Sequence, residues 1–518
     1  MSPTDDGHAS SRYARYVLGV LVLVYVFNFL DRQILSILAE RIRADLGVSD
    51  AELGFLYGTA FAIFYALFGI PLGRLADVWD RRLLIALGLA VWSGMTVLSG
   101  LARSFPELAL ARIGVGIGEA SAAPAAFSLL SDYFPPARRA TVLAIYSSGI
   151  YLGAGLGLAV GGLVVQRWDS SFGAAPPFGL QGWQVAFFVV GVPGLLLALW
   201  VRTLREPVRG SAEGLVAAST APPWTSFLHE LRAVIPPLTL VHLGLAGAGV
   251  RGIMRNLAAA AAIALGAALL IHLLGTPAQW IGLGVGLYAA VSWLQALALR
   301  DRPTHRLLTR TPTLRWAMAG FALLAFVGYG VGFWLPPYFM RRFGTPPAQA
   351  GLILGLTSAT AGWLGTTLGG LWADRRRLRN PAGRLQVGAT CPLLTIPLAV
   401  WMLETDSSLL AFALVFPTVV CSSLWIGPGA STVQDLVLPR MRGSVSAAYL
   451  LVVTFIGLAL GPYTVGRLSV GLGDLRTALL CALIASAMGG TLLLIGARHI
   501  AGDEASRLQR ARAAGEAV

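Results

Sequence analysis

The 518-residue chain is poor in charge. Asp, Glu, Lys and Arg make up 12% of it, whereas hydrophobic residues make up 56%. An ordinary soluble domain carries about 25% charged residues. Too little polar surface is available to cover a water-soluble globule, so the composition excludes that class of protein.

Cysteine and lysine are also scarce. The three cysteines, Cys391, Cys421 and Cys481, lie in apolar stretches, which is typical of small membrane-core residues and implies no disulfide or cysteine–metal framework. Lysine is absent, so arginine supplies all the basic charge apart from histidine. Because His242 and His272 have no second ligand at metal spacing, we expect no metal site and no cofactor.

The net charge of +14 comes from arginines in short connections between apolar runs. Nucleic-acid-binding proteins instead gather basic residues on one soluble face, so we expect no nucleic-acid partner. Membrane proteins concentrate arginine in cytoplasmic loops. The pattern predicts a protein of the inner (plasma) membrane with both termini in the cytoplasm, and Arg341 and Arg342 are its clearest exception.

Apolar runs long enough to cross a bilayer, about 20 residues each, follow one another along the chain. We predict an all-α polytopic membrane protein of about 14 spans. The predicted spans are 16–38, 51–72, 83–102, 106–131, 140–165, 183–202, 256–274, 279–299, 316–340, 348–372, 385–403, 409–434, 444–466 and 475–497. The predicted parts are a cytoplasmic tail (1–15), a six-helix half (16–202), a linker (203–315), a second six-helix half (316–497) and a cytoplasmic tail (498–518). The linker holds two extra spans and an interfacial segment at 235–250.

The two halves repeat each other. Gly73 and Asp77 recur 297 positions later as Gly370 and Asp374. Parallel repeats are typical of secondary transporters whose substrate site lies between the repeats near the bilayer midplane. Five further residues recur at an offset of 303: Asp132, Pro136, Arg139, Ala144 and Tyr146 match Asp435, Pro439, Arg442, Ala447 and Tyr449.

The loop after the second span reads Gly-Arg-Leu-Ala-Asp-Val-Trp-Asp-Arg-Arg over residues 73–82. Gly73 allows close backbone approach, and Asp77 is expected to cap the next helix and to pair with arginines. This loop resembles the signature of the major facilitator superfamily, and such charge pairing can latch one conformational state. The predicted gating residues are Gly73, Arg74, Asp77, Arg81, Asp132, Arg139, Asp374 and Arg375.

Four charged residues lie well inside predicted spans, away from the span ends: Asp31 and Arg32 in the first, Arg112 and Glu119 in the fourth. Each costs about 2.5–3.5 kcal/mol to insert, so each needs a cavity or a partner. Arg112 and Glu119 share a helix face about 10 Å apart, and both can meet Asp31 and Arg32. We predict Arg32 and Arg112 as ligands of an anionic group and Asp31 and Glu119 as proton-coupling groups. The alternative is a permanent ion-pair network that stabilises the bundle.

Three segments together resemble the Spinster branch of the facilitators. They are Asn-x-x-Asp-Arg at 28–32, Arg-x-Gly-x-Gly-x-Gly-Glu-Ala-Ser at 112–121, and Asp-Tyr-Phe-Pro-Pro-x-Arg-Arg at 132–139. Animal members export sphingosine-1-phosphate or lysophospholipids, and the resemblance implies functional roles for the four buried charges. The Asp-Arg pair also resembles the anion:cation symporter branch, which moves organic acids. The two extra spans are a departure from the twelve of Spinster-like members.

We therefore predict a monomeric, proton-coupled transporter that works by alternating access, with membrane lipids as surroundings and an amphipathic anionic lipid as substrate. A symporter of small organic anions is the alternative, and a non-transporting receptor or sensor is the alternative of another class. No enzyme is expected, because no Ser–His pairing, His-x-x-x-His motif or paired aspartates on one span occur. Aromatic residues expected near the cavity include Tyr151, and the predicted substrate contacts among them are Tyr146, Tyr329, Trp334 and Trp425.

Overall fold

A computed structural model describes residues 11–173, 175–209 and 222–516 of the chain. The regular structure of this described part is helical throughout. Thirteen of its helical segments are long and apolar enough to cross a membrane. The predicted span 348–372 coincides with α15, a helix of 33 residues that is long enough but lies outside this apolar set. The prediction of an all-α polytopic protein with about 14 spans is confirmed.

The N-terminal half of the chain forms eight helices, and two of its spans consist of two helices each. Their bounds are α1 (Ser11–Leu46), α2 (Asp50–Tyr57), α3 (Thr59–Val78), α4 (Arg81–Ser99), α5 (Phe105–Glu119), α6 (Ala122–Tyr133), α7 (Pro136–Phe172) and α8 (Gly182–Arg202). The linker forms α9 (Pro223–Val234), α10 (Leu238–Leu245), α11 (Gly249–Leu274), α12 (Pro277–Arg300) and α13 (Arg302–Arg310).

The C-terminal half contains a similar set of helices. Their bounds are α14 (Pro312–Phe343), α15 (Pro347–Arg379), α16 (Gly383–Glu404), α17 (Ser408–Ser423), α18 (Ile426–Asp435), α19 (Arg442–Val452), α20 (Leu460–Leu472), α21 (Leu475–Ala505) and α22 (Arg507–Ala513). A π-helical segment, Val453–Ala459, joins α19 to α20.

The helices group by contact into two compact units. These units differ from the predicted halves in two segments, 47–66 and 346–356, each of which belongs to the unit formed mainly by the other half. One unit comprises Met1–Leu46, Leu67–Leu231 and Pro346–Leu356, and the other comprises Gly47–Ala66, Arg232–Thr345 and Thr357–Val518. In the first unit a Cβ on Gly351 would lie 2.2 Å from the carbonyl oxygen of Leu158. In the second, a Cβ on Gly54 would lie 2.5 Å from that of Pro462. Glycine thus permits both segments to lie directly against a neighbouring backbone.

The two extra helices, α11 and α12, are joined by a buried polar cluster. The Asn256 amide nitrogen donates to Ser292 Oγ at 3.0 Å and to Gln295 Oε1 at 2.8 Å, and the Tyr288 hydroxyl donates to Asn256 Oδ1 at 2.6 Å. Within the second unit, Thr59 Oγ1 lies 2.7 Å from Gln279 Oε1 and attaches α12 to the start of α3. The predicted pair of extra helices is therefore present, and it is packed into this unit.

The predicted tails and linker are partly helical. Helix α1 begins at Ser11, inside the predicted tail 1–15, and α10 lies within the predicted interfacial segment 235–250. Helix α21 continues through Ala505 into the predicted C-terminal tail, and α22 follows it. Residues 1–10 and 517–518 of the predicted tails and residues 210–221 of the predicted linker lie outside the described residues.

Candidate functional site

The four ionisable residues of the first and fourth spans meet in the first unit. Arg32 Nη2 on α1 donates to Glu119 Oε2 on α5 at 2.6 Å. Arg112 Nη1 lies 3.8 Å from Asp31 Oδ1, a separation beyond hydrogen-bonding distance. All four side chains are buried, with residue exposures of 6% or less. The cluster therefore holds two cations and two carboxylates in a crossed arrangement.

Asp31 has a further partner on α4 that sequence reasoning missed. Thr96 Oγ1 lies within hydrogen-bonding distance of Asp31 Oδ2 and 2.9 Å from the carbonyl oxygen of Trp92. A hydroxyl has one proton and can also accept. Thr96 can therefore donate to an ionised Asp31, or accept from a protonated Asp31 while it donates to Trp92.

The glycines of the Arg112–Ser121 motif bring the charged helix close to α4. A Cβ on Gly118 would lie 2.7 Å from the Trp92 backbone nitrogen, and one on Gly114 would lie 2.5 Å from Met95 Cγ. Helix α5 ends at Glu119, and α6 begins at Ala122. Glu119 is thus placed at a helix break inside the membrane span. Non-helical backbone at this depth is tolerated only where it is buried in protein or lines a water-filled cavity.

A second charge cluster lies at the end of the first unit that carries the predicted gating loop. The buried Arg81 pairs with Asp132 and, through Nε at 2.7 Å, with Glu206. The prediction that Asp77 caps the next helix is wrong. Asp80 caps α4 by accepting from the Leu83 backbone N–H at 3.0 Å, because Asp80 directly precedes the helix.

The remaining gating residues of this unit occupy looser positions. Asp77 is exposed and lies 3.6 Å from Arg74, one helical turn earlier. Gly73 has open space around it apart from Pro124, which a Cβ would meet at 3.9 Å. Arg139 Nη2 donates to the carbonyl oxygen of Ser131 at 2.9 Å. These contacts join the predicted gating residues to other residues of the same unit, and the gating roles stay predictions.

The second unit reproduces the Arg81 cluster. Arg384 pairs with Asp435 and, at 3.0 Å, with Asp374. Arg384 follows Arg81 by 303 positions, which is also the offset between Asp132 and Asp435. The same offset could therefore have identified Arg384, which sequence reasoning missed. Arg375, the residue predicted there, is exposed.

Comparisons with known proteins show the family of this chain. Residues 21–462 match the family model of the Major Facilitator Superfamily. The chain belongs to the Major Facilitator Superfamily. This chain is similar in structure to a bacterial homolog to the human lysosomal transporter Spinster, whose crystal structure shows an inward-facing and unoccupied conformation. The TM-score is 0.71 and the identity 26%, over 96% of this chain and 99% of that one.

Two curated relatives extend the comparison. An MFS-type efflux pump of Mycolicibacterium smegmatis is 29% identical over 494 residues, which are 95% of this chain and 92% of the relative. A probable L-galactonate transporter of Escherichia coli is 31% identical over 201 residues, 38% of this chain and 41% of the relative. The chain is a Spinster-like facilitator, and its family and fold are those of transporters in membranes.

The aromatic residues predicted to contact substrate are distributed over both units of this facilitator. Tyr146 is buried in the first unit and stacks on Tyr25 with ring centroids 4.4 Å apart. In the second unit, Trp425 stacks on Phe321 at 6.0 Å. Tyr329 is half-buried there. Their substrate contacts stay predictions.

Trp334 belongs to a different part of the second unit, beside an ion pair that was not predicted. Its buried indole N–H donates to the carbonyl oxygen of Pro462 at 2.8 Å, and the Arg341 guanidinium lies 5.6 Å from its ring centroid. Arg341 in turn binds Asp50, which is 4% exposed. The signal for this pair was the presence of Arg341 as an exception to the arginine bias.

Proposed function

We propose that this facilitator is a proton-coupled secondary transporter of an amphipathic anionic lipid, such as a lysophospholipid or a sphingolipid-like compound. It works by alternating access as a monomer in the inner membrane, with both termini in the cytoplasm. The observation that supports this most is the buried ion pair between Arg32 and Glu119. Its two charges compensate each other only while they remain paired.

Substrate binding and proton uptake are linked through Arg32. An anionic headgroup can take the planar guanidinium as a bidentate partner. Glu119 would then lose the hydrogen bond that Arg32 Nη2 makes to it. An uncompensated carboxylate in a dry membrane interior is costly, so Glu119 takes up a proton when the substrate binds Arg32. Release of the substrate returns Arg32 to Glu119 and expels the proton.

Asp31 and Arg112 provide a second coupled pair in the same cluster. The Asp31 carboxylate lies between Thr96, which is within hydrogen-bonding distance, and Arg112 at 3.8 Å. A small movement of α1 relative to α5 would bring Arg112 into contact with Asp31 or free it for the headgroup. Because Thr96 can either donate or accept, it can serve both protonation states of Asp31.

A symporter of small organic anions is the second candidate. The probable L-galactonate transporter of Escherichia coli supports it, since its name implies a carboxylate substrate and it matches 38% of this chain. Arg32 and Arg112 suit a carboxylate as well as a phosphate. A non-transporting receptor or sensor is the candidate of another class, and measured flux would exclude it.

The test is uptake of labelled lysophospholipid into proteoliposomes under an imposed pH gradient. Wild type is compared with Glu119→Gln and with Glu107→Gln, a control on the exposed start of the same helix. We expect gradient-dependent uptake that Glu119→Gln loses and Glu107→Gln retains. Uptake that ignores the gradient would contradict proton coupling.

A parallel assay separates the two substrate classes. The same vesicles are given a labelled sugar acid, and unlabelled lysophospholipid is added as a competitor. Sugar-acid uptake without lysophospholipid uptake would replace the lipid proposal with the organic-anion one. If vesicles that contain well-folded protein transport neither the lysophospholipid nor the sugar acid, the receptor is favoured.

A further inference from the structure

The C-terminal end of α15 carries a cavity of about 350 Å³ that belongs to neither charge cluster described above. Three arginines, one indole and two amide side chains line it, and none of these six groups is acidic. By the arginine bias this end of α15 lies at the cytoplasmic surface. The lining residues are Trp372, Arg375, Arg376, Arg379, Asn380 and Gln386.

The positive charge at this cavity is not compensated by nearby carboxylates. Arg384 binds Asp374 at 3.0 Å, and Arg377 binds Glu504 at 2.7 Å, so other arginines occupy these acidic groups. Within the described part of the chain, neither Arg375 nor Arg379 makes an ion pair with a carboxylate. Two exposed guanidinium groups therefore face the cavity with their charge available to an anion.

An apolar face of α15 leads directly to these arginines. Leu368, Leu371 and Trp372 are 44%, 52% and 37% exposed. Arg375 and Arg379 follow Leu368 by seven and eleven residues, a spacing that keeps them on the same helix face. Trp372 at the junction has the amphipathic ring typical of the boundary between hydrocarbon and headgroups. The helix thus presents an apolar surface that ends in a basic cavity.

We propose that this cavity binds the phosphodiester headgroup of an anionic bilayer phospholipid, whose acyl chain lies along Leu368 and Leu371. The guanidinium groups of Arg375 and Arg379 hold the phosphate oxygens, a geometry that suits the planar arginine fork. Basic pockets on the cytoplasmic side of membrane proteins bind anionic headgroups in this way. The bound lipid stabilises the protein and is not transported, so the inference is independent of the transported substrate.

The purified chain in neutral detergent is titrated with phosphatidylglycerol, and the shift of its unfolding temperature is followed. We expect the lipid concentration at half-maximal shift to rise at least about tenfold in Arg375→Gln/Arg379→Gln. The matched control is Arg302→Gln/Arg310→Gln, which removes the same charge from exposed positions of α13. The control should stay within about twofold of wild type. Phosphatidylcholine should shift none of the three proteins.

Several results would overturn the proposal. One is a phosphatidylglycerol titration of the cavity variant that overlays that of wild type. Another is an equal loss in the control, which would show a general effect of surface charge. A shift of the same size with inorganic phosphate would show a site for soluble anions. If the double variant does not fold, Arg379→Gln alone should still weaken the lipid response at least about threefold, and an unchanged response would again refute the site.

Discussion

Arg341 binds Asp50 through two parallel hydrogen bonds, from Nη1 to Oδ2 at 2.6 Å and from Nη2 to Oδ1 at 2.7 Å. Ser469 Oγ donates to the same carboxylate at 2.8 Å. Asp50 is the first residue of α2, while Arg341 and Ser469 lie on α14 and α20. The second span of the N-terminal half is thus attached to the C-terminal helices by a buried charge.

Breaking this ion pair should loosen α2. Asp50→Asn should lower the local opening free energy by about 1.5–3 kcal/mol, the scale of charge-assisted hydrogen bonds. Hydrogen exchange of the amides in α2 should accelerate about 10- to 100-fold. The matched control is Asp406→Asn, because Asp406 pairs with Arg342 while 88% of its side chain is exposed. Unchanged exchange in Asp50→Asn would refute the attachment.

The Arg32–Glu119 pair distinguishes a transport role from a purely structural one. Arg32→Gln removes the charged hydrogen-bond donor of Glu119 and should cost about 3–5 kcal/mol of stability. The double variant Arg32→Gln/Glu119→Gln removes both charges and should recover most of that loss. We expect thermal unfolding to show the recovery while proteoliposome uptake stays absent. Wild-type uptake by the double variant would show that the charges serve stability alone.

The packing of α5 on α4 should not tolerate a side chain at Gly118. A Cβ there would meet backbone atoms of Gly88 and Trp92 at 2.7–2.8 Å, and backbone cannot move aside as a flexible side chain does. Gly118→Ala should therefore destabilise the protein by about 1–3 kcal/mol, and uptake should fall with it. Gly94→Ala on α4 is the control, because its Cβ meets nothing within 4 Å. Equal unfolding temperatures in the two variants would contradict this packing.

Acid should release the last residues of the described chain. A hydrogen bond from Arg440 lowers the pKa of Glu516 below its ordinary value of 4.5. Because the pKa is depressed in the folded state, the contact is fully present above pH 4.5 and is lost as the pH falls through the lowered value. Proteolysis after α22, or the loss of hydrogen-exchange protection there, should therefore increase as the pH falls below 4.5. Arg440→Gln should show the faster reaction at every pH, and a pH response identical to that of wild type would contradict the contact.

Local sequence was sufficient for much of the fold. Apolar runs of span length predicted the helices. In lipid every backbone polar group must be hydrogen-bonded within the protein, and an α-helix meets this requirement within one segment. The seven-residue spacing of Arg112 and Glu119 predicted a shared face, and the structure brings both to Asp31 and Arg32. The internal offset of 303 also relates Arg81 to Arg384. Only the structure shows that these two arginines bind the equivalent carboxylates, Asp132 and Asp435.

Only the tertiary structure decided which charges pair and where the spans break. Arg32 on α1 pairs with Glu119 on α5, and the end of α5 at Glu119 interrupts an apolar run that is continuous in the sequence. Asp50 and Arg341 are 291 residues apart, so no periodicity connects them. Hydrophobic patterning reports the face that each helix buries, whereas ion pairs depend on which backbones approach closely enough for side chains to meet. That approach is set by packing between distant segments, which the sequence determines but does not display locally.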